Sequence, residues 1–379
     1  MGAETRIEWA DHSFNPWTGC QAVSPACDHC YAEAQAKRNT ATFGGWGPHA
    51  ARKRTSESYW RQPLKWNSEA RKAGTRPRVF CASLADIMDK AAPLVWFIDA
   101  LDLMRVTQHL IWLLLTKRPQ MIRRRLEEAL AHLSKGIDRG DLIEWIALWL
   151  DGHAPENVWL GTTVENQAEA DRRIPHLLAV PAGKRFLSCE PLLGPIDLSV
   201  AWHGESALDA ECWGECKWCE SGHPALHNCQ RGRQSEDVFM RGIGIDWIIA
   251  GGESGPTARP SHPDWFRSLR DQCQAAGVPF FFKQWGEWRP ICQGEADWYD
   301  GLYRSRVAAR QGEDQAAKDE VYGRICTVPQ LCLRVDGQHA GITEPMAWRQ
   351  GSGAILSFRV GKKAAGAALD GREWREVPA

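Results

Sequence analysis

The sequence predicts an α/β protein built as a partial (β/α) barrel, interrupted by a metal-binding insert and followed by a C-terminal extension. Six short apolar runs suited to buried strands recur between residues 78 and 285. Helical stretches stand between several of them, so a parallel sheet with crossover helices is implied. Polar residues follow each run at once, where a barrel of this kind gathers its chemistry.

In chain order, a short strand is expected near Arg6 to Trp9, followed by a glycine- and proline-bearing cysteine loop. "AEAQAKRN" after the loop reads as a short helix, and the polar, tryptophan-bearing stretch with Gly44, Gly45 and Gly47 reads as irregular surface. "RVFCAS" at 78–83 is the first buried strand, and Pro93 opens a helix with Leu94, Ile98, Leu101 and Met104 on one face. "HLIWLLLTK" at 109–117 is the next strand, and Pro119 starts a helix through Leu130. "NVWLGTTV" at 157–164, "KRFLSCE" at 184–190, "DWIIAGG" at 246–252 and "PFFFKQW" at 279–285 complete the series, with helices after the first and third of these four. Residues 1–290 therefore form the barrel, interrupted by a Cys/His-rich insert at 200–243, and 291–379 an extension that caps its surface.

Composition narrows the class. A net charge of −1, from 46 basic and 47 acidic residues, gives no global attraction to nucleic acid or membrane. Met1 to Asp11 is polar and carries Glu4, Arg6 and Glu8, so no secretory leader is read there. Thirteen cysteines, an odd number with clusters at metal-ligand spacings, then point to metal sites in a reducing, cytoplasmic compartment and not to a disulfide framework. Apolar runs such as "LIWLLL" at 110–115 are far short of the ~20 residues that span a membrane.

The stretch Asn15 to Tyr31, "NPWTGCQAVSPACDHCY", carries Cys20, Cys27 and Cys30 in one loop. Three thiolates suit a cubane [4Fe-4S] cluster that keeps one iron open, whereas a closed zinc site needs a fourth ligand, here His12 or His29. The insert holds a second set. Cys212, Cys216, Cys219 and Cys229, with His223 or His227 as alternates, offer the four ligands of a structural zinc site; an auxiliary iron-sulfur cluster or free surface thiols are the other readings.

The loop "GCQAVSPACDHCYA", "SLAD" after the second strand and "LLTKRP" after the third resemble the three-cysteine-motif family of phages and mobile elements, which is of radical S-adenosylmethionine type. Strand order and the "TK" element are more distantly similar to spore photoproduct lyase. The resemblance covers most of residues 5–290 and the closing "VGKK…LDG…W…P" run. The six-residue gap between Cys20 and Cys27 is longer than the three-residue gap commonest in such enzymes.

The resemblance implies a chemistry. The open iron binds the amino and carboxylate groups of S-adenosylmethionine, one electron cleaves the sulfonium, and the 5′-deoxyadenosyl radical takes a hydrogen atom from substrate. The protein holds the cofactor and keeps water away. It further implies a reductant protein, a partner encoded by the same mobile element, and a substrate such as a nucleobase or nucleic acid that is modified or repaired. Lys117 would meet the cofactor's carboxylate; Ser83, Asp86 and Thr162 its amino or ribose groups; Glu165, Glu190, Gly251, Gly252 and Glu253 would complete the pocket.

The residues alone leave alternatives. Lys117 also reads as a solvated strand-end lysine, and "GGESG" at 251–255 as a tight βα connection. Cys81 reads either as a hydrogen-atom donor or as strand packing. Arg118 and Arg123 to Arg125, with twenty tryptophans, suit single-stranded nucleic acid if they share a face, and otherwise a solvated helix and core indoles. A zinc-bearing protein that binds nucleic acid or a partner without catalysis is the competing function.

Overall fold

The computed structural model describes residues 5, 7–136, 139–201, 206–208, 244–295 and 297–379. Its centre is a seven-stranded sheet in which every neighbouring pair is parallel and the strands follow chain order. They are β1 (His12–Ser13), β2 (Arg78–Cys81), β3 (Ile111–Thr116), β4 (Val158–Thr163), β5 (Lys184–Cys189), β6 (Trp247–Gly251) and β7 (Phe280–Gln284). Parallel neighbours need crossovers, and crossovers of one hand between strands in sequential order all fall on one face, so the sheet curls into a half-barrel.

Alternation along each strand separates two cores. Val79, Cys81, Trp112, Leu114, Val158, Leu160, Leu187, Ile248, Phe280 and Phe282 join the helices. The intervening Phe80, Leu113, Trp159, Phe186, Trp247, Ile249 and Phe281 fill the inner face with Trp9. This aromatic floor occupies the N-terminal half of the interior, with Trp9 edge-on to Phe80 at 4.6 Å. Ligands are therefore left the C-terminal mouth.

The six apolar strands and the helices at Leu94–Val106, Ile122–Leu133, Gln167–Leu178 and Pro263–Ala275 stand where the sequence places them. One expectation is corrected, and two helices are added. The first strand lies at His12–Ser13, not at Arg6 to Trp9, because the chain turns there (Ala10 N to Ile7 O, 3.1 Å) and sinks the Trp9 indole into the floor. The irregular stretch gives way to a helix at Gln62–Ala73, opened by Pro63, ended by Gly74 at φ +65°, and burying Pro63, Trp66 and Ala70 on one side. A helix at Gly140–Leu150 adds to the β3–β4 crossover.

The extension forms an antiparallel sheet ordered Trp288–Pro290, Ile355–Arg359, Gln330–Leu333, His339–Ala340. Its closing run is more than a surface cap, since Ala365, Leu369 and Trp374 enter the helix-side core. Backbone bonds Phe282 N to Trp374 O (3.0 Å) and Glu376 N to Phe280 O (3.3 Å) cover the open edge of β7. Among the described residues no helix is long and apolar enough to cross a membrane.

Candidate functional site

The cysteine loop leaves β1 and lies across the C-terminal ends of four sheet strands, fastened to each by a different side chain. After β2, the buried Asn15 accepts from Leu84 N at 2.7 Å and meets Ser83 Oγ at 3.1 Å, while Tyr31 Oη donates to Ser83 O at 2.6 Å. After β3, Arg118 Nη2 donates to Gln21 O at 3.3 Å. After β4, Glu165 Oε1 accepts from Ala26 N at 3.1 Å. After β6, Glu253 Oε2 meets His29 Nδ1 at 3.1 Å, and Arg259 binds Glu253, Asp28 and Pro25 O together. The polar residues after the apolar runs thus serve the loop first.

Local sequence shapes the thiols. Pro25–Cys27 is a single 3-10 turn that buries Cys27, and Cys30 caps the helix Tyr31–Arg38. Burial pushes the Cys20 thiol up to about 11; Asp86 adds to this and Arg118 opposes it. Burial also raises Cys30, against the backbone N–H groups of Glu33 and Ala32 and the charge of Lys117. Both thiols keep their protons at neutral pH in the metal-free chain, so metal binding must displace them.

Asp86 accepts from Thr116 Oγ1 (2.6 Å), Lys117 N (3.0 Å), Met88 N (2.9 Å) and Arg118 Nη1 (2.7 Å). A carboxylate has about four acceptor positions, and all are taken. Asp86 is thereby a hub that orients the strap 116–118, not a group free to meet a cofactor. Arg118 is buried against it; burial would lower its pKa, and the charges of Asp86, Cys20 and Asp89 outweigh that and raise it. Lys117 is different. Among the described residues no hydrogen bond or ion pair engages its Nζ, and its charge reaches Cys30.

Other expected site residues divide by strand parity. Thr162 faces the helix side, fully buried, its hydroxyl donating to Thr116 O at 2.8 Å; its neighbour Thr163 faces the interior. Cys81 is likewise on the helix side with no exposure, which is packing and gives no access for hydrogen-atom donation into the barrel. Glu190 is at the mouth, paired with Lys283 at 2.9 Å. A Cβ on Gly251 would sit 2.7 Å from Glu190 Oε1, and one on Gly252 1.9 Å from Trp285 O, so both glycines are there for close approach. Burial would raise Glu253; hydrogen bonds from Arg259 and His29 overcome this and lower it.

Arg259 and Lys283 are site residues that sequence reasoning missed. Alternation with Phe281 could have found Lys283, which shares the inner face; Arg259 sits in a loop with no periodic signal. The basic run does not share one exposed face: Arg123 and Arg124 pair with Glu127 and Glu128 one turn on, and Arg125 is buried over the Phe97 ring. His12 stacks on Trp66 at 4.3 Å between ring centroids. Among the described residues no three His, Cys, Asp or Glu side chains converge on a single metal ion. Cys212, Cys216, Cys219, Cys229, His223 and His227 lie outside the described residues.

Fold and site define a parallel α/β half-barrel protein with a three-cysteine loop clamped over its C-terminal mouth. Residues 4–378 match the family described as "Protein of unknown function (DUF5131)", and the chain belongs to that family. No curated protein matches the chain. Solved structures similar to it include a spore photoproduct lyase double mutant with bound AdoMet and dinucleoside spore photoproduct, at TM-score 0.34 and 10% identity, covering 83% of this chain and 72% of that one. A single mutant of the same lyase gives TM-score 0.36 and 12% identity, covering 85% and 75%.

Proposed function

We propose that this protein is an iron-sulfur enzyme of the radical S-adenosylmethionine class, with a [4Fe-4S] cluster on Cys20, Cys27 and Cys30 and S-adenosylmethionine beside it at the barrel mouth. The observation that carries the reading is a three-thiol loop tied by four strand ends over the C-terminal end of the inner face, beyond the aromatic floor. Of the two histidines that would complete a zinc site, His12 is stacked on Trp66, while His29 turns Nδ1 to Glu253 and keeps Nε2 for a ligand. The donor set suits a cluster as well. Ser24 Oγ in the loop and Trp46 Nε1, in the segment bridged to Cys20, are buried without a hydrogen-bond partner among the described residues. Buried donors of this kind match the sulfide acceptors of a cluster.

When bound, the cluster and S-adenosylmethionine supply a 5′-deoxyadenosyl radical on one-electron reduction. The chain's own residues bind, orient and exclude water. Lys117 would take the cofactor's carboxylate, being the cation at the mouth that no described residue engages. Glu190, fixed by Lys283 and given room by Gly251, would accept from an amino or hydroxyl group of the ligand. Glu165, Asp86 and Glu253 keep the loop seated. A small one-electron carrier protein would deliver the reducing equivalent.

Metal analysis of anaerobically reconstituted protein tests the assignment. Cys27→Ala with Cys30→Ala should lose iron and acid-labile sulfide while far-ultraviolet circular dichroism stays native, since the half-barrel core does not depend on the loop thiols. A variant that keeps the wild-type iron content would move the cluster to other cysteines.

A further inference from the structure

We infer that Arg118 sets the reduction potential of the cluster through a hydrogen bond from its guanidinium to the Cys20 sulfur. The inference rests on the cluster reading above. Arg118 Nη1 stands 3.8 Å from Cys20 Sγ, and the same nitrogen is held by Asp86 Oδ2 at 2.7 Å. Nη2 reaches Gln21 O at 3.3 Å, so one planar fork grips both the ligand sulfur and the backbone carbonyl that follows it.

The arrangement leaves the guanidinium nowhere else to go. Arg118 and Asp86 are 7% and 5% exposed, and Asp86 is itself fixed by Thr116 Oγ1 and by the backbone N–H of Lys117. Arg118 N closes the strap on Thr116 Oγ1 at 2.9 Å. The guanidinium compensates the buried Asp86 charge and, through the same nitrogen, stands within hydrogen-bond reach of the Cys20 sulfur.

A donor on a ligand sulfur draws electron density from the iron-thiolate bond and favours the reduced, more negative cluster. The effect is large where water is excluded, because charge interactions grow as the local dielectric falls. The three thiols are also treated unequally. Cys20 alone among them has a buried guanidinium within hydrogen-bond reach in the described residues.

The test compares wild type, Arg118→Gln and Arg118→Lys after anaerobic reconstitution, by spectroelectrochemical titration with low-potential mediators and no S-adenosylmethionine. Arg118→Gln should lower the ratio of reduced to oxidised cluster at a fixed potential about tenfold, which is ~59 mV for a one-electron couple. Arg118→Lys keeps the charge and loses the fork, and should fall between, about threefold below wild type. A merely structural Arg118 would change how much cluster loads without moving the potential of the fraction that does. Equal potentials in wild type and either variant overturn the inference, as does a wild type that loads iron while neither variant does. Wild type without iron defeats the cluster assignment itself, which is a separate outcome.

Discussion

Glu165→Gln is the sharpest probe of how the sheet holds the loop. Glu165 has no exposed surface, and its two oxygens are divided, Oε1 for Ala26 N at 3.1 Å and Oε2 for Arg173 Nη1 at 2.9 Å. Glutamine has the same size but only one acceptor oxygen, so either Ala26 or Arg173 must face an amide N–H. Breaking a buried ion pair from one side costs about 3–5 kcal/mol. Arg173 keeps Thr163 O at 2.7 Å, and Glu169 remains 2.9 Å from Nη2 as a charge partner without hydrogen-bond alignment. The loss should therefore fall at the low end, ~3 kcal/mol. Urea unfolding followed by tryptophan fluorescence reads the stability, and hydrogen exchange of the 20–31 peptide should show the Ala26 amide exchanging faster. A Glu165→Gln protein within about 0.5 kcal/mol of wild type, with Ala26 still protected, would refute the clamp.

Lys117→Ala should weaken S-adenosylmethionine binding roughly tenfold by calorimetry on reconstituted protein with iron content unchanged, the loss of about one charge-assisted bond from a half-buried site; unchanged affinity would leave Lys117 a solvated lysine. Asp370 ties the closing run to Arg267, Arg270 and Gln293, and the hydrogen bond from Arg267 outweighs burial to hold its carboxyl below the ordinary 3.8. A depressed folded-state value gives stabilisation that is fully present above 3.8 and lost as pH falls through the folded value. The stability gap between wild type and Asp370→Asn should thus be widest near neutral pH and shrink below about pH 4, measured by urea midpoints across that range; a gap that widens in acid would contradict the sign.

The strand series was legible because it rests on burial. Runs such as "IWLLLT" and "VWLGTT" must be buried and at six residues are too short for a core helix, and the proline-initiated helices between them mark their own starts. The helix at Gln62–Ala73 was hidden because it buries few side chains beneath a polar surface, and the glycines before it suggest loop. Parity within a strand was hidden too. Nothing in "GTTVE" says which threonine turns inward, and register against β5 decides it for Thr163. At the site, the three thiols, Asp86, Glu165 and Glu253 were visible as strand-end polar residues. The pairings were not: Arg118 meets Cys20, Arg259 meets Asp28 and Lys283 meets Glu190 across 98, 231 and 93 residues of chain, and only the fold brings them together.

An iron-sulfur cluster on Cys20, Cys27 and Cys30 that cleaves S-adenosylmethionine, as proposed, has a direct chemical signature. Anaerobically reconstituted protein, reduced with dithionite in the presence of S-adenosylmethionine and analysed by chromatography, should be brown, carry a four-iron cluster and release 5′-deoxyadenosine, and Cys27→Ala should release none. Zinc filling the loop thiols, with S-adenosylmethionine recovered intact, would contradict the account.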